Sequence, residues 1–75
     1  MIDPRYMQFT EWAELTRGRL PTVDDVPIPA QDQDWKEWAA LILRVPSIAR
    51  KRPPLASVFS DWREWAFLFN RAMSL

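Results

Sequence analysis

The chain contains no cysteine, no histidine and a single glycine, Gly18. Without cysteine there is neither a disulfide framework nor a thiolate metal site. Without histidine it lacks the commonest metal ligand and the usual general base near neutral pH. One glycine excludes a Gly-rich phosphate loop. No apolar run approaches the roughly 20 residues that span a bilayer. The opening Met1-Ile2-Asp3-Pro4-Arg5 has neither the basic region nor the apolar stretch of a secretory signal. These absences predict a soluble, non-enzymatic protein with no cofactor and no metal. The missing cysteine fits the cytosol.

Net charge is absent too, but its two signs are separated along the chain. Residues 1–34 hold Asp3, Glu11, Glu14, Asp24, Asp25, Asp32 and Asp34 against Arg5, Arg17 and Arg19, a net of −4. Residues 35–75 hold Glu37, Asp61 and Glu64 against Lys36, Arg44, Arg50, Lys51, Arg52, Arg63 and Arg71, a net of +4. Such asymmetry suits a chain that folds back on itself, head-to-tail contact, or a partner of mixed charge.

What the chain does have is aromatic surface in few residues. It is 75 residues long, 48% hydrophobic, and carries five tryptophans, each able to bury about 150–250 Å². That length holds one domain, residues 1–75, of a size where a single core is marginal and about 60% of the unfolded surface is buried. Chains this short usually rely on disulfides, metals or partners. With the first two missing, a protein partner or self-association is the expected source of further stability.

The tryptophans fall in a repeat. Asp34-Trp35-Lys36-Glu37-Trp38-Ala39-Ala40-Leu41 matches Asp61-Trp62-Arg63-Glu64-Trp65-Ala66-Phe67-Leu68 at six of eight positions, 27 residues later. A weaker copy, Gln8-Phe9-Thr10-Glu11-Trp12-Ala13-Glu14-Leu15, lies 26 residues before the first. The common unit is aromatic-x-Glu-Trp-Ala-x-Leu, and it reads as helix. Aromatics three apart share one helical face. The Asp-x-x-Glu spacing resembles a capping box, and alanine and leucine are strong helix formers.

Apolar spacing extends each unit. Ile2, Tyr6, Phe9 and Ala13 form the first stripe, with Asp3-Pro4 as a start and Gly18 as the natural stop. Trp35, Trp38, Ala39, Ile42 and Val45 form the second, ended by Pro46. Leu55, Val58, Trp62, Trp65, Phe69, Ala72 and Met73 form the third, opened by Pro54 or capped by Ser57. The prediction is an all-α fold of three short helices, roughly 4–17, 33–45 and 55–73, joined by extended proline-rich connectors.

The connector from Leu20 to Pro29 has three prolines and is expected to run extended. Its Val23, Val26 and Ile28 are side chains that an inert linker would not need. The connector from Pro46 to Pro54 carries the basic Arg50-Lys51-Arg52 ahead of two prolines. Trp38 and Trp65, central in their units, are assigned to the core. Trp35 and Trp62, at helix starts, are assigned to contact with a partner, where Trp and Arg are enriched. The predicted partner-binding residues are therefore Trp35, Trp62, Val23, Val26, Ile28, Arg50, Lys51 and Arg52. The basic three read as a solvated loop, then as a contact for acidic protein, and last for nucleic acid, against which the zero net charge argues. Glu11, Glu37 and Glu64 read as caps and surface charges, since no nucleophile, base or ligand cluster accompanies them.

Tyr6, Met7, Phe9, Trp12 and Ala13, then a proline strap, then Trp35, Trp38 and Ala39, then Trp62, Trp65 and Ala66 form a pattern covering most of the chain. It resembles the small Trp-rich proteins encoded among the virion genes of tailed bacteriophages, especially short-tailed ones. The resemblance implies a structural or accessory protein of the virion, made in the host bacterial cytoplasm. Its implied partners are capsid, portal, connector or tail subunits, with a homo-oligomer in the assembly as a further option. The alternative is a small phage-encoded inhibitor of a host enzyme or defence complex, which copy number in purified particles would separate.

Overall fold

Local rules account for where each helix starts and stops in the computed structural model, which describes residues 3–20, 25–30 and 33–75. Four α-helices are present: α1 (Phe9–Arg19), α2 (Trp35–Ile42), α3 (Pro46–Ala49) and α4 (Trp62–Met73). Two 3-10 turns, Pro4–Tyr6 and Ala56–Val58, precede α1 and α4, and no strand occurs among the described residues. The fold is all-α.

The two tryptophan-led helices start at their aspartates. The Asp34 carboxylate accepts the Lys36 backbone N–H at 3.4 Å, and that of Asp61 accepts the Arg63 N–H at 3.0 Å. Glu37 and Glu64 lie in the first turns, where negative charge favours the helix dipole. Helix α4 closes through Ser74 in the left-handed region at φ 61°, and Leu75 N–H reaches back to the Asn70 carbonyl at 2.9 Å.

Four predicted boundaries move, each for a backbone reason. Gly18 is not the stop of α1, which runs on to Arg19. The stop is Leu20, extended at ψ 143°, because a residue before proline is pushed out of the helical region. The predicted start at Pro4 forms only a 3-10 turn, since Met7 and Gln8 are extended before α1 opens. Pro46 does not end the second helix, which stops at Ile42 with Leu43 as its cap, short of the expected residue 45. Val45 before it is extended, and Pro46 opens the short α3, using its fixed φ and missing N–H at the first helical position. Neither Pro54 nor Ser57 opens the last helix: Phe59 is extended at ψ 144° and Asp61 caps the start. Consequently Tyr6, Leu55 and Val58, predicted on core stripes, are exposed. Ile2, predicted on the same first stripe as Tyr6, lies outside the described residues.

The core is built on Trp12, Trp38 and Trp65, all fully buried. Ala13, Ala39 and Ala66 follow them inward, and Thr16, Ile42 and Phe69 continue one turn later on the same faces. Between helices the rings meet in a closed cycle. Phe9 lies 5.5 Å from Trp38, Trp35 lies 5.7 Å from Trp65, and Trp62 lies 5.8 Å from Trp12. In each pair a segment's leading aromatic meets the central tryptophan of the next segment, and the third segment returns to the first. Trp12 also presents edge-to-face contacts to Trp38 and Trp65 at 5.9 and 5.8 Å, a geometry favoured by the aromatic quadrupole.

Segments outside the helices are tied to this core through their carbonyls. The Trp38 indole N–H donates to the Pro27 carbonyl and that of Trp65 to the Pro54 carbonyl, both at 2.8 Å. Arg17 Nε donates to the Val26 carbonyl at 2.7 Å. Proline in such a segment removes N–H groups that would otherwise need acceptors. The equally buried Trp12 Nε1 finds no acceptor among the described residues.

Candidate partner-binding surface

The predicted partner-binding residues divide between interior and surface. Val26 is 1% exposed and belongs to the core, so its apolar side chain closes the fold and is not available to a partner. Trp35 and Trp62 are half-buried and pack on the core. Each has one ring face turned inward, in the contacts with Trp65 and Trp12, and a cation over the ring. Lys36 Nζ stands 5.8 Å from the Trp35 ring and the Arg63 guanidinium 4.8 Å from that of Trp62, within the range of cation–π attraction. Ile28, Arg50, Lys51 and Arg52 are exposed. Val23 lies outside the described residues. The seven described residues thus divide into one buried, two half-buried and four exposed positions.

Two grooves instead mark the surface, and they occupy matching places. One lies between α2 and the Ala56–Val58 turn; the other lies beside α4, where the Pro4–Tyr6 turn packs on that helix. Lys36 and Ala40 line the first where Arg63 and Phe67, 27 residues on, line the second. The first has a volume of about 300 Å³ and takes its apolar lining from Ala40, Leu43, Leu55 and Ala56. The second is larger, about 840 Å³, with Phe59, Phe67 and Leu68 in its wall.

Charge distinguishes the two. Among the described residues Lys36 is the only charged one lining the first groove, whereas Arg5, Arg63, Asp61 and Glu64 ring the second. Both bases of the second groove are already engaged. Arg63 donates to the Met7 carbonyl at 3.1 Å, fastening α4 to the segment before α1. Arg5 pairs with Asp3 at 2.8 Å, the one ion pair among the described residues. Hydrogen bonding to Arg5 lowers the Asp3 carboxyl below its ordinary range, and Asp3 in turn raises Arg5.

Shallow apolar grooves with a few rim charges suit the side chains of another macromolecule. Among the described residues no group of three His, Cys, Asp or Glu is placed to hold a metal, and no helix is long and apolar enough to cross a membrane. Phe67 was not among the predicted site residues, yet it is half-exposed in the wall of the larger groove. A signal for it does exist. It stands two residues after Trp65, about 200° around the helix, so an aromatic there faces away from the core. No known protein family, curated protein or solved structure matches this chain.

Proposed function

We propose that the chain is a non-enzymatic protein-binding component, a small structural or accessory protein of a phage particle that packs on other particle subunits. In this reading the aromatic-x-Glu-Trp-Ala-x-Leu segment is one packing unit used three times. The ring cycle keeps the core closed while the outer flank of each helix stays open to a partner. The observation that carries the reading is Phe67. Half of a large aromatic side chain is left in an apolar groove, although the same chain buries three tryptophans completely. Aromatics left at the surface in this way, rimmed by polar groups, mark interaction sites more often than packing failures. Arg50, Lys51 and Arg52 serve this reading as rim charges, which tune association rate and salt response more than dissociation.

The experiment is mass spectrometry of purified particles with wild-type and Phe67→Asp chains. The wild-type chain is expected at fixed copy number, and the variant is expected to be depleted about tenfold or more, as for loss of an interface anchor. Phe67 faces away from the core, so circular dichroism of the variant should match wild type. Absence of the chain from particles, or equal incorporation of a folded Phe67→Asp variant, overturns the proposal.

A further inference from the structure

Among the described residues no ion pair joins the acidic and basic halves of the sequence. The single ion pair among the described residues, Arg5–Asp3, is local and lies within the acidic half. Glu11 and Glu14 stand on the outer face of α1 together with Leu15 and Gly18, all exposed. Their spacing of three, four and seven puts them on one helical stripe, opposite the buried Trp12, Ala13 and Thr16. Leu15 is 47% exposed in the middle of that acidic stripe. At Gly18 nothing lies within 4 Å of where a side chain would begin, so the stripe ends on a flat, open spot.

A complementary surface exists elsewhere on the same molecule. The groove between α2 and the Ala56–Val58 turn is apolar, and among the described residues its one charged lining residue is the base Lys36. Leu55, 63% exposed, forms part of its wall. Arg50, Lys51 and Arg52, exposed and without acidic partners among the described residues, lead along the chain into that wall. The α1 stripe points away from its own core, so it meets such a groove only on another molecule.

We infer that the outer face of α1 docks into the α2 groove of a second copy of this chain. Leu15 enters the apolar groove, and Glu11 and Glu14 face Lys36 and the Arg50–Arg52 segment. The two surfaces are different patches, so the contact is head-to-tail and propagates into a ring or an open chain. This deepens the protein-binding reading by naming one occupant, and its test needs no particle, so either can fail while the other stands.

Two full-length variants test it by charge exchange. One carries Glu11→Lys and Glu14→Lys, the other Lys36→Glu and Lys51→Glu, all at exposed positions. Sedimentation equilibrium over a concentration series is run at low and high salt, with circular dichroism confirming the fold. Wild type is expected to gain mass with concentration, less so at high salt. Each variant alone places like charges across the contact and is expected to associate about tenfold more weakly or less still. An equimolar mixture restores opposite charges at every junction and is expected to assemble again. A wild-type chain that stays monomeric throughout, variants that assemble alone as wild type does, or a mixture that stays monomeric would each overturn the inference.

Discussion

The indole N–H of Trp65 donates to the carbonyl of Pro54 at 2.8 Å. Trp38 makes the same bond to Pro27 at the same 2.8 Å, also across eleven residues. The two bonds are thus one device, in which a proline eleven residues ahead of a central tryptophan is pinned under its helix. Among the described residues the buried indole nitrogen of Trp12 has no acceptor. For the first segment the corresponding position falls on Met1, outside the described residues.

That difference sets an order among three conservative variants. Trp→Phe removes similar volume at each site, but at Trp38 and Trp65 it also strands a carbonyl, whereas at Trp12 it removes an orphaned donor. Leaving a buried polar group unpaired costs about 1–3 kcal/mol. Trp38→Phe and Trp65→Phe should therefore lower urea-denaturation stability by about 1–2 kcal/mol more than Trp12→Phe. Equal losses at the three sites would show that the carbonyl bonds contribute nothing.

Gly18 gives a test with the opposite sign. As a left-handed helix stop it would resist any side chain, but it lies inside α1 with open space around it. Glycine within a helix costs roughly 0.5–1 kcal/mol relative to alanine. Gly18→Ala should stabilise the chain, by about 0.5 kcal/mol so near the helix end. A lower melting temperature for this variant would restore Gly18 as the stop.

The start of α4 is tested at two residues. Asp61 accepts the Arg63 N–H at 3.0 Å, and Asp61→Ala should cost about 1 kcal/mol, the usual value of such a cap. Ser57 is exposed in the middle of the Ala56–Val58 turn and caps no helix, so Ser57→Ala should stay within about 0.5 kcal/mol of wild type, as for surface substitutions generally. The reverse ranking in chemical denaturation would move the start of the helix back to residue 57.

The parts of this fold legible in the sequence are those set by short-range spacing. Trp35 and Trp38, or Trp62 and Trp65, fall on one helical face whatever else happens, and Asp34 and Asp61 cap the turns they precede. The boundaries were less legible because two local rules compete at each. Gly18 is a plausible stop until the pre-proline restriction at Leu20 overrides it. Leu55 and Val58 continue the periodicity of the last helix, but the extended backbone at Phe59 breaks the register and turns them outward. The surface was harder still. Val26 and Ile28 are both aliphatic residues of one proline-rich strap, yet the first is buried and the second exposed. Alternation in an extended segment predicts that they share a face, and only the bonds from Arg17 to Val26 and from Trp38 to Pro27 fix how the strap lies.

The last prediction concerns a ring contact that braces the cycle, between Phe9 and Trp62. Phe9 and Trp62 are far apart in sequence, yet their rings stand 5.6 Å apart at 73°, joining the first long helix to the last. Both side chains are half-buried and pack on the core. An edge-to-face pair of this kind contributes about 0.5–1.5 kcal/mol beyond its area. The single variants Phe9→Leu and Trp62→Leu and their double should therefore reveal a coupling of about that size in the isolated chain. Each single variant should also lower the melting temperature without a partner present. Had Trp62 been held for a partner, Trp62→Leu would leave the free chain untouched and the coupling would be zero. A coupling near zero, with unchanged melting of both single variants, would remove this brace and return Trp62 to the surface.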